Sequence, residues 1–121
     1  NFHITLMKTY YKLEDYRNAL KSADSILALD DKQAKAYYYK GLCEEKTKYD
    51  IKGVLISLRK AVELEPNEIL YRIALAKAYK DYGFYRSALK EWQRIAANRQ
   101  YAQRALMEIQ RINSLIEQSR F

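Results

Sequence analysis

Small and bulky apolar positions recur along this chain with a spacing of about 34 residues. Three segments align, 16–20, 51–55 and 85–89, and each places a small or branched residue fourth and a leucine fifth. Further apolar positions stay in phase after them: Ala23, Leu58 and Trp92, then Ile26, Ala61 and Ile95. Residues three and four positions apart share one face of a helix, so each segment predicts an amphipathic helix. Two helices per period indicate hairpins that stack on one another.

Turn signals divide the chain into seven predicted helices. Proline disfavours helical geometry in the residue before it, so a helix should end ahead of Pro66. Glycine permits positive φ, so Gly83 predicts a turn. A turn over 47–50 with one extra residue accounts for the longer step between the first two aligned segments. The predicted helices cover 2–13, 15–29, 34–46, 51–64, 68–81, 84–97 and 101–119.

The last predicted helix has one apolar stripe and a broad polar remainder. The stripe consists of Ala102, Leu106, Ile109, Ile112 and Ile116. A helix with one apolar face is typical of the element that closes the end of a helical stack.

Composition supports an all-helical chain. Gly (3) and Pro (1) are scarce among the 121 residues, and helix formers dominate. The single cysteine, Cys43, excludes an internal disulfide and a cysteine-rich zinc site, and it favours a reducing compartment such as the cytoplasm. No apolar run is long enough to predict a membrane span. Because the sequence begins with Asn1, we expect a piece of a longer protein or a processed form.

The repeated positions resemble the consensus of the tetratricopeptide repeat family. Small residues at Ala19, Gly41, Ala76 and Ala88 would let helices approach closely, and the bulky Tyr16, Tyr85 and Trp92 would fill the spaces between hairpins. The resemblance implies an all-α, right-handed α-solenoid of three tetratricopeptide-like hairpins and a C-terminal capping helix. The segments are 1–33, 34–68, 69–100 and 101–121.

The second repeat departs from the family pattern. Glu44 stands where the family prefers tyrosine, Lys40 where it prefers leucine, and Val54 where it prefers alanine. We therefore expect looser or tilted packing there.

The resemblance also implies that the first helix of each hairpin lines a concave groove. The predicted partner-binding residues are Lys8, Tyr11, Tyr38, Leu42, Ile73, Lys77 and Lys80. Tyrosine offers contact area at low entropic cost, and lysine attracts an acidic partner. Packing is the competing interpretation for tyrosines. We leave both open for Tyr11 and Tyr38 and expect Tyr10, Tyr37 and Tyr79 to pack.

Most of the formal net charge of +7 lies in segment 69–100. Arg86, Lys90 and Arg94 are four residues apart, so they should form one row on the outer side of their helix. An acidic protein, lipid headgroups or nucleic acid could use such a row, as could plain solvent. Ile56 should also be exposed, either as a docking spot or as an ordinary surface residue.

Some tetratricopeptide domains clamp the terminal carboxylate of heat-shock chaperones with convergent basic and amide side chains. The matching positions here are Ile4, Lys8, Tyr39, Leu70 and Ala74. Only Lys8 is charged, and a carboxylate clamp needs several donors. We therefore do not expect such a clamp.

The residues predict no catalytic, metal or cofactor site. His3 is the only histidine, Cys43 lies among core positions, and the three glycines form no phosphate-binding loop. The leading hypothesis is a non-catalytic scaffold that docks a peptide or helix of another protein, an acidic or amphipathic segment, in the groove and helps to assemble a complex. The alternatives are a basic RNA-binding module and assembly through the convex face and array ends. RNA binding is disfavoured because Ile4, Tyr38 and Ile73 offer no matching polar groups for base reading.

Overall fold

The computed structural model describes residues 2–47 and 50–120, and it folds them into seven α-helices without a β-strand. The helices are α1 (Phe2–Lys12), α2 (Tyr16–Leu29), α3 (Ala34–Lys46), α4 (Ile51–Leu64), α5 (Ile69–Asp81), α6 (Tyr85–Ile95) and α7 (Ala102–Ser119). The all-α fold class predicted from the periodicity is confirmed.

Most helices end where the local chemistry predicts. Helix α4 stops at Leu64, two residues before Pro66, and Gly83 adopts a positive φ of 85° in the turn before α6. Glu14 also has a positive φ, 61°, in the corresponding turn before α2, which the sequence did not indicate. The side chain of Asp15 then caps α2 by accepting a hydrogen bond from the Asn18 amide at 3.3 Å.

Two further breaks separate α3 from α4 and α6 from α7, and the structure describes the first only in part. In the predicted turn over 47–50, Lys48 and Tyr49 lie outside the described residues, whereas the Asp50 carboxylate caps α4 at the Lys52 amide, 3.2 Å away. Between α6 and α7 the chain forms a short 3-10 helix, Arg99–Tyr101. The Asn98 side chain stabilises it by accepting the Gln100 amide hydrogen at 3.0 Å.

The chain divides into two compact units, and the boundary falls inside α5. We call Asn1–Tyr71 the first unit and Arg72–Phe121 the second unit. In the first unit, Met7, Ala23, Ile26 and Ala36 form one buried cluster that joins α1, α2 and α3. A second cluster contains Ala34, Ala61 and Tyr71. The finer division into three repeats and a cap stays a prediction.

Small residues allow the helices to approach each other closely. A Cβ atom added at Gly41 on α3 would lie 2.7 Å from Cδ2 of Leu58 on α4, and Leu58 is itself fully buried. Ala19, Ala76 and Ala88 are all completely buried as well. The predicted close approach is therefore confirmed at Gly41, and the burial of the three alanines is consistent with the same role.

The inner face of α7 is offset from the predicted stripe. Ala105 and Ile112 are fully buried, whereas Leu106 is 57% exposed. The prediction was wrong at Leu106, because adjacent residues of a helix point about 100° apart and α7 turns Ala105 inward instead. On the neighbouring helix, Trp92 is fully buried, and the Arg104 guanidinium lies 5.7 Å from the centre of its ring.

The observed orientation of α7 predicts a large loss of stability for one alanine substitution on this helix and almost none for another. Ile112→Ala should lower the free energy of unfolding by about 2–5 kcal/mol, because it removes buried side-chain volume. Leu106→Ala should change it by less than about 0.5 kcal/mol, because that side chain faces water. Urea denaturation of both variants measures the contrast, and equal losses would show that α7 packs through the other face.

A substitution at Ala88 tests whether the helices of the second unit pack closely. Ala88→Leu should destabilise the protein by about 1–3 kcal/mol, because a fully buried alanine leaves no room for three more carbons. Lys90→Leu on the exposed side of α6 is the control and should stay within about 0.5 kcal/mol. A denaturation midpoint for Ala88→Leu that matches the wild type would refute tight packing at this position.

Candidate partner-binding surface

Five tyrosine rings form a connected cluster in the first unit, and we call it the tyrosine cluster. Its members are Tyr11, Tyr16, Tyr38, Tyr39 and Tyr71. The ring centre of Tyr11 lies 5.7 Å from that of Tyr16 and 5.3 Å from that of Tyr39. Tyr38 lies 5.2 Å from Tyr39 and 4.7 Å from Tyr71. Several pairs meet edge to face, an arrangement that the ring quadrupoles favour.

The cluster both packs and remains accessible. Tyr71 is buried, with 7% of its surface exposed, while the other four tyrosines are half-buried. Burial raises the pKa of Tyr38 to about 12, and neighbouring tyrosines add to the effect. Its hydroxyl therefore stays protonated at neutral pH and can donate a hydrogen bond. For Tyr11 and Tyr38 the structure thus combines the two interpretations, since each ring packs on one side and is partly open on another.

The other predicted contact residues differ in accessibility. Lys8 on α1 and Leu42 on α3 are half-buried in the first unit, one turn from Tyr11 and Tyr38 respectively. In the second unit Lys77 is exposed, whereas the Lys80 ammonium lies 3.6 Å from the Glu108 carboxylate.

Ile73 does not offer a contact surface. It is buried, with an exposed fraction of 6%, so it belongs to the packing of the protein. It was predicted as a contact residue because it lies in phase with the other groove candidates, and helical phase alone does not report what covers a residue.

Tyr16, Tyr39 and Tyr71 join the cluster although the sequence did not place them on a binding surface. The available signal was the run of three tyrosines at 37–39 on one helix. Consecutive residues point in different directions, so such a run reaches more than one neighbouring helix. The hydroxyl of Tyr37 instead donates to the Asp31 carbonyl at 3.0 Å, consistent with its predicted structural role.

A buried carboxylate lies between α3 and α4. Glu44 is 6% exposed, and the Ser57 hydroxyl donates a hydrogen bond to its Oε1 atom at 2.9 Å. A Cβ atom at Gly53 would approach the Oε2 atom of Glu44 to 3.1 Å, so the glycine leaves room for the carboxylate. Nearby, the Lys40 ammonium pairs with the Asp24 carboxylate at 3.0 Å. Each polar departure from the family pattern thus has a partner, Ser57 for Glu44 and Asp24 for Lys40.

The pKa of Glu44 is raised above its ordinary value of 4.5. Burial is the main cause, because it disfavours the charged form, and the carboxylates of Asp24 and Asp50 act in the same direction. The hydrogen bond from Ser57 and the positive charge of Lys40 oppose the shift.

The described residues offer no obvious reactive group. Cys43 is fully buried, and burial raises the pKa of its thiol to about 12, so the nucleophilic thiolate is strongly disfavoured. Within residues 2–47 and 50–120, no three His, Cys, Asp or Glu side chains gather in a way that could hold a metal ion. None of the helices described over the same ranges combines the length and apolar character needed to cross a membrane.

Two predicted surface features are exposed as expected. Arg86, Lys90 and Arg94 all face solvent on α6. Ile56 on α4 is 58% exposed, and its use as a docking spot stays a prediction.

Solved structures share this fold at low sequence identity. The Yersinia enterocolitica type III secretion translocator chaperone SycD matches with a TM-score of 0.83 and 16% identity, over 95% of this chain and 83% of that one. The TPR2B domain of yeast Sti1, in a complex with pHsp70, matches with a TM-score of 0.83 and 18% identity, over 95% of this chain and 99% of that one. The first TPR of Spaghetti (RPAP3), bound to the HSP90 peptide SRMEEVD, matches with a TM-score of 0.83 and 14% identity, over 96% of this chain and 94% of that one.

No family model matches the sequence, and no curated protein matches it either. The structural matches nevertheless include domains described as TPR, and they cover almost the whole chain. The predicted resemblance to tetratricopeptide repeats is therefore confirmed at the level of the fold.

The raised pKa of Glu44 predicts that the free energy of unfolding depends on pH. Its folded-state pKa lies above the unfolded value near 4.5, so the folded protein holds this proton more tightly than the unfolded chain does. Its contribution to stability is therefore full below about pH 4.5 and is lost as the pH rises through the folded-state pKa. Glu44→Gln removes this loss, because a neutral amide can still accept the hydrogen bond from Ser57.

The measurement is the free energy of unfolding of the wild type and of Glu44→Gln at pH 4 and at pH 7. We expect the variant to gain stability relative to the wild type between the two values. Glu63→Gln, which removes an exposed carboxylate from α4, is the control for the loss of one negative charge. A difference between wild type and Glu44→Gln that does not change with pH would contradict the assignment.

Proposed function

We propose that this chain is a non-catalytic protein-interaction module that binds a peptide or helical segment of a partner and helps to assemble a complex. The observation that carries the proposal is the tyrosine cluster, a preformed aromatic surface on the first unit. Tyr11 and Tyr38 are its central contact residues, and Leu42 and Lys8 flank them on α3 and α1.

Aromatic packing makes this surface suitable for binding. The rings of Tyr11 and Tyr38 already contact their neighbours at centre distances near those of stable aromatic pairs, so little side-chain freedom remains to be lost on association. Half-buried tyrosines offer both apolar area and a hydroxyl donor, and such residues supply much of the affinity at protein interfaces.

Lys8 adds a preference for acidic or amphipathic segments, because it lies one turn from Tyr11 on α1. Lys77 and Lys80 belong to the second unit, where Lys80 pairs with Glu108, so the tyrosine surface is proposed without them. Exposed lysines chiefly speed association and make it sensitive to salt, whereas aromatic contacts determine how long the complex lasts.

The structural neighbours support peptide binding as a class of function. Structures with this fold are described as complexes with pHsp70, with an HSP90 peptide and with a peptide of the translocator YopD. The chain nevertheless lacks the basic set that a terminal-carboxylate clamp would require, because Lys8 is the only basic residue at the matching positions. We therefore propose an internal segment as the ligand.

RNA binding is the weaker alternative. The tyrosine rings could stack on bases, but no set of matching polar groups accompanies them for base reading. Salt separates the two functions, because RNA affinity should fall steeply with salt concentration whereas tyrosine-anchored peptide binding should fall modestly.

A paired substitution tests the tyrosine surface. Peptides are first selected from a random displayed library for binding to the wild-type protein. Tyr38→Ala combined with Leu42→Ala should then weaken their binding by more than about 2 kcal/mol, which is roughly 30-fold in Kd. Tyr101→Ala combined with Leu106→Ala removes the same side-chain types from the second unit and should leave Kd within about threefold.

Two outcomes would contradict the proposal. One is unchanged peptide binding in the Tyr38 and Leu42 variant combined with a complete loss on charge reversal of Arg86, Lys90 and Arg94, which would favour assembly through the outer face. The other is tight binding of the peptide SRMEEVD that disappears when its terminal carboxylate is amidated, which would indicate a carboxylate clamp.

A further inference from the structure

The positive charge of the protein is concentrated in the second unit. Residues 72–121 contain ten basic and four acidic side chains, whereas residues 1–71 contain twelve and eleven. The second unit therefore holds six of the seven net positive charges. Arginine accounts for seven of its ten basic residues, against two of twelve in the first unit. Arginine presents a planar array of donors that matches carboxylates and phosphates.

The acidic side chains of the second unit are largely used within it. Three of the four form ion pairs: Glu91 with Arg72 at 2.7 Å, Glu108 with Arg111 at 3.1 Å and Lys80 at 3.6 Å, and Glu117 with Arg120 at 3.7 Å. The fourth, Asp81, is exposed at the end of α5. These pairs leave the charge of the remaining basic residues uncompensated.

The uncompensated charge includes a row of three basic residues along α6. Arg86, Lys90 and Arg94 are exposed, and none of them forms an ion pair with a residue that the structure describes. With a rise of about 1.5 Å per residue, the row extends over about 12 Å. Glu91 is the one acidic residue of α6, and it faces Arg72 of α5, so it does not neutralise the row.

The row leads into a cavity at the start of α6. This open cavity, with a volume of ≈ 390 Å³, lies between the first turn of α6 and the last turns of α7. Phe84, Tyr85 and Ile116 supply apolar lining, Arg86 supplies uncompensated charge, and Arg120 lines the cavity while paired with Glu117. Phe84 is 49% exposed, and its ring meets that of Tyr79 edge to face at a centre distance of 6.3 Å. Because Arg86 belongs to both features, the row and the cavity form one continuous surface.

We propose that this surface binds an acidic segment of another protein, with one bulky apolar side chain in the cavity and the neighbouring carboxylates along the row. Arg86 and Arg94 provide bidentate hydrogen bonds to carboxylates, and Lys90 adds a point charge between them. An aromatic or leucine side chain in the cavity contacts Phe84 and Ile116 and is removed from water. Apolar anchoring and charge complementarity together select an acidic segment with an adjacent large apolar residue.

The same geometry disfavours nucleic acid and a membrane. A row of about 12 Å offers few phosphate contacts, and its neighbouring aromatic side chains, Phe84 and Tyr85, lie at one end only, so successive bases have no series of rings on which to stack. A membrane-binding helix presents protruding apolar side chains beside its basic ones. Here the exposed positions beside the row are Gln93 and Ala97, and the apolar side chains line a cavity.

This surface shares no residue with the tyrosine surface of the first unit, so the two proposals fail independently. The probe is a fluorescent synthetic peptide with four glutamates and one tryptophan at the end of the acidic run. Two control peptides replace the glutamates by glutamines or the tryptophan by serine. Anisotropy at fixed ionic strength gives Kd for each peptide, and oligouridylate RNA and vesicles containing phosphatidylserine serve as competitors.

Charge reversal tests the row. We expect Kd for the acidic peptide to rise by about tenfold or more in the triple variant that combines Arg86→Glu, Lys90→Glu and Arg94→Glu. The matched control is Lys52→Glu, Arg59→Glu and Lys60→Glu on α4, which changes the net charge equally at three exposed positions and should raise Kd by less than about threefold. If both triple variants lose the same affinity for the acidic peptide, net charge alone causes the effect and the proposal is overturned.

The cavity has its own test. Phe84→Ala should weaken binding of the tryptophan peptide but not of its serine counterpart, whereas Leu106→Ala, at another exposed apolar position of the second unit, should affect neither. Amide chemical shifts of the wild-type protein provide a check that needs no variant, and peptide binding should perturb 84–94 and 116–120. Shifts confined to other helices, or row-dependent binding of RNA or vesicles that is tighter than peptide binding, would overturn the proposal.

Discussion

Close approach of helices at small side chains is the constraint on which the rest of this structure depends. Gly41 lets Leu58 of α4 reach the backbone of α3, and Ala19 and Ala88 are fully buried at aligned positions of their own hairpins. A helical hairpin cannot bury its apolar face alone, so the stability of such folds comes from tight contacts between neighbouring helices. A larger side chain at any of these positions would separate the helices and weaken dispersion contacts on both sides.

The same close packing leaves large side chains at the edges of the helices, and the tyrosine cluster is the result. Tyr11, Tyr38 and Tyr71 come from α1, α3 and α5, and their rings connect elements whose backbones are held in place by small residues elsewhere. Rings that pack against one another have little freedom, yet four of the five keep part of their surface open. A rigid, partly open aromatic surface serves stability and binding together, since ordering it costs little when a ligand arrives.

Between α3 and α4 the structure buries a polar side chain instead of an aromatic ring. Glu44 is buried at a position where the tetratricopeptide consensus that the sequence resembles has tyrosine, and it is tolerated because Ser57 donates a hydrogen bond and Gly53 leaves space. A buried carboxylate is costly unless it is paired, so the three residues depend on one another. The second unit holds three of its four acidic residues in ion pairs instead, and its exposed row of basic residues is left to interact with solvent or a partner.

Periodicity in the sequence was sufficient to predict seven helices, their approximate ends and the small contact positions, because local spacing and turn chemistry act within a few residues. It could not decide which side of α7 faces inward, since Ala105 and Leu106 are adjacent and both are apolar. Nor could it show that Ile73 is buried, that Glu14 adopts a positive φ, or that Tyr16, Tyr39 and Tyr71 meet Tyr11 and Tyr38. These features depend on contacts between residues far apart in the chain, and only the tertiary structure determines which of several plausible faces each helix buries.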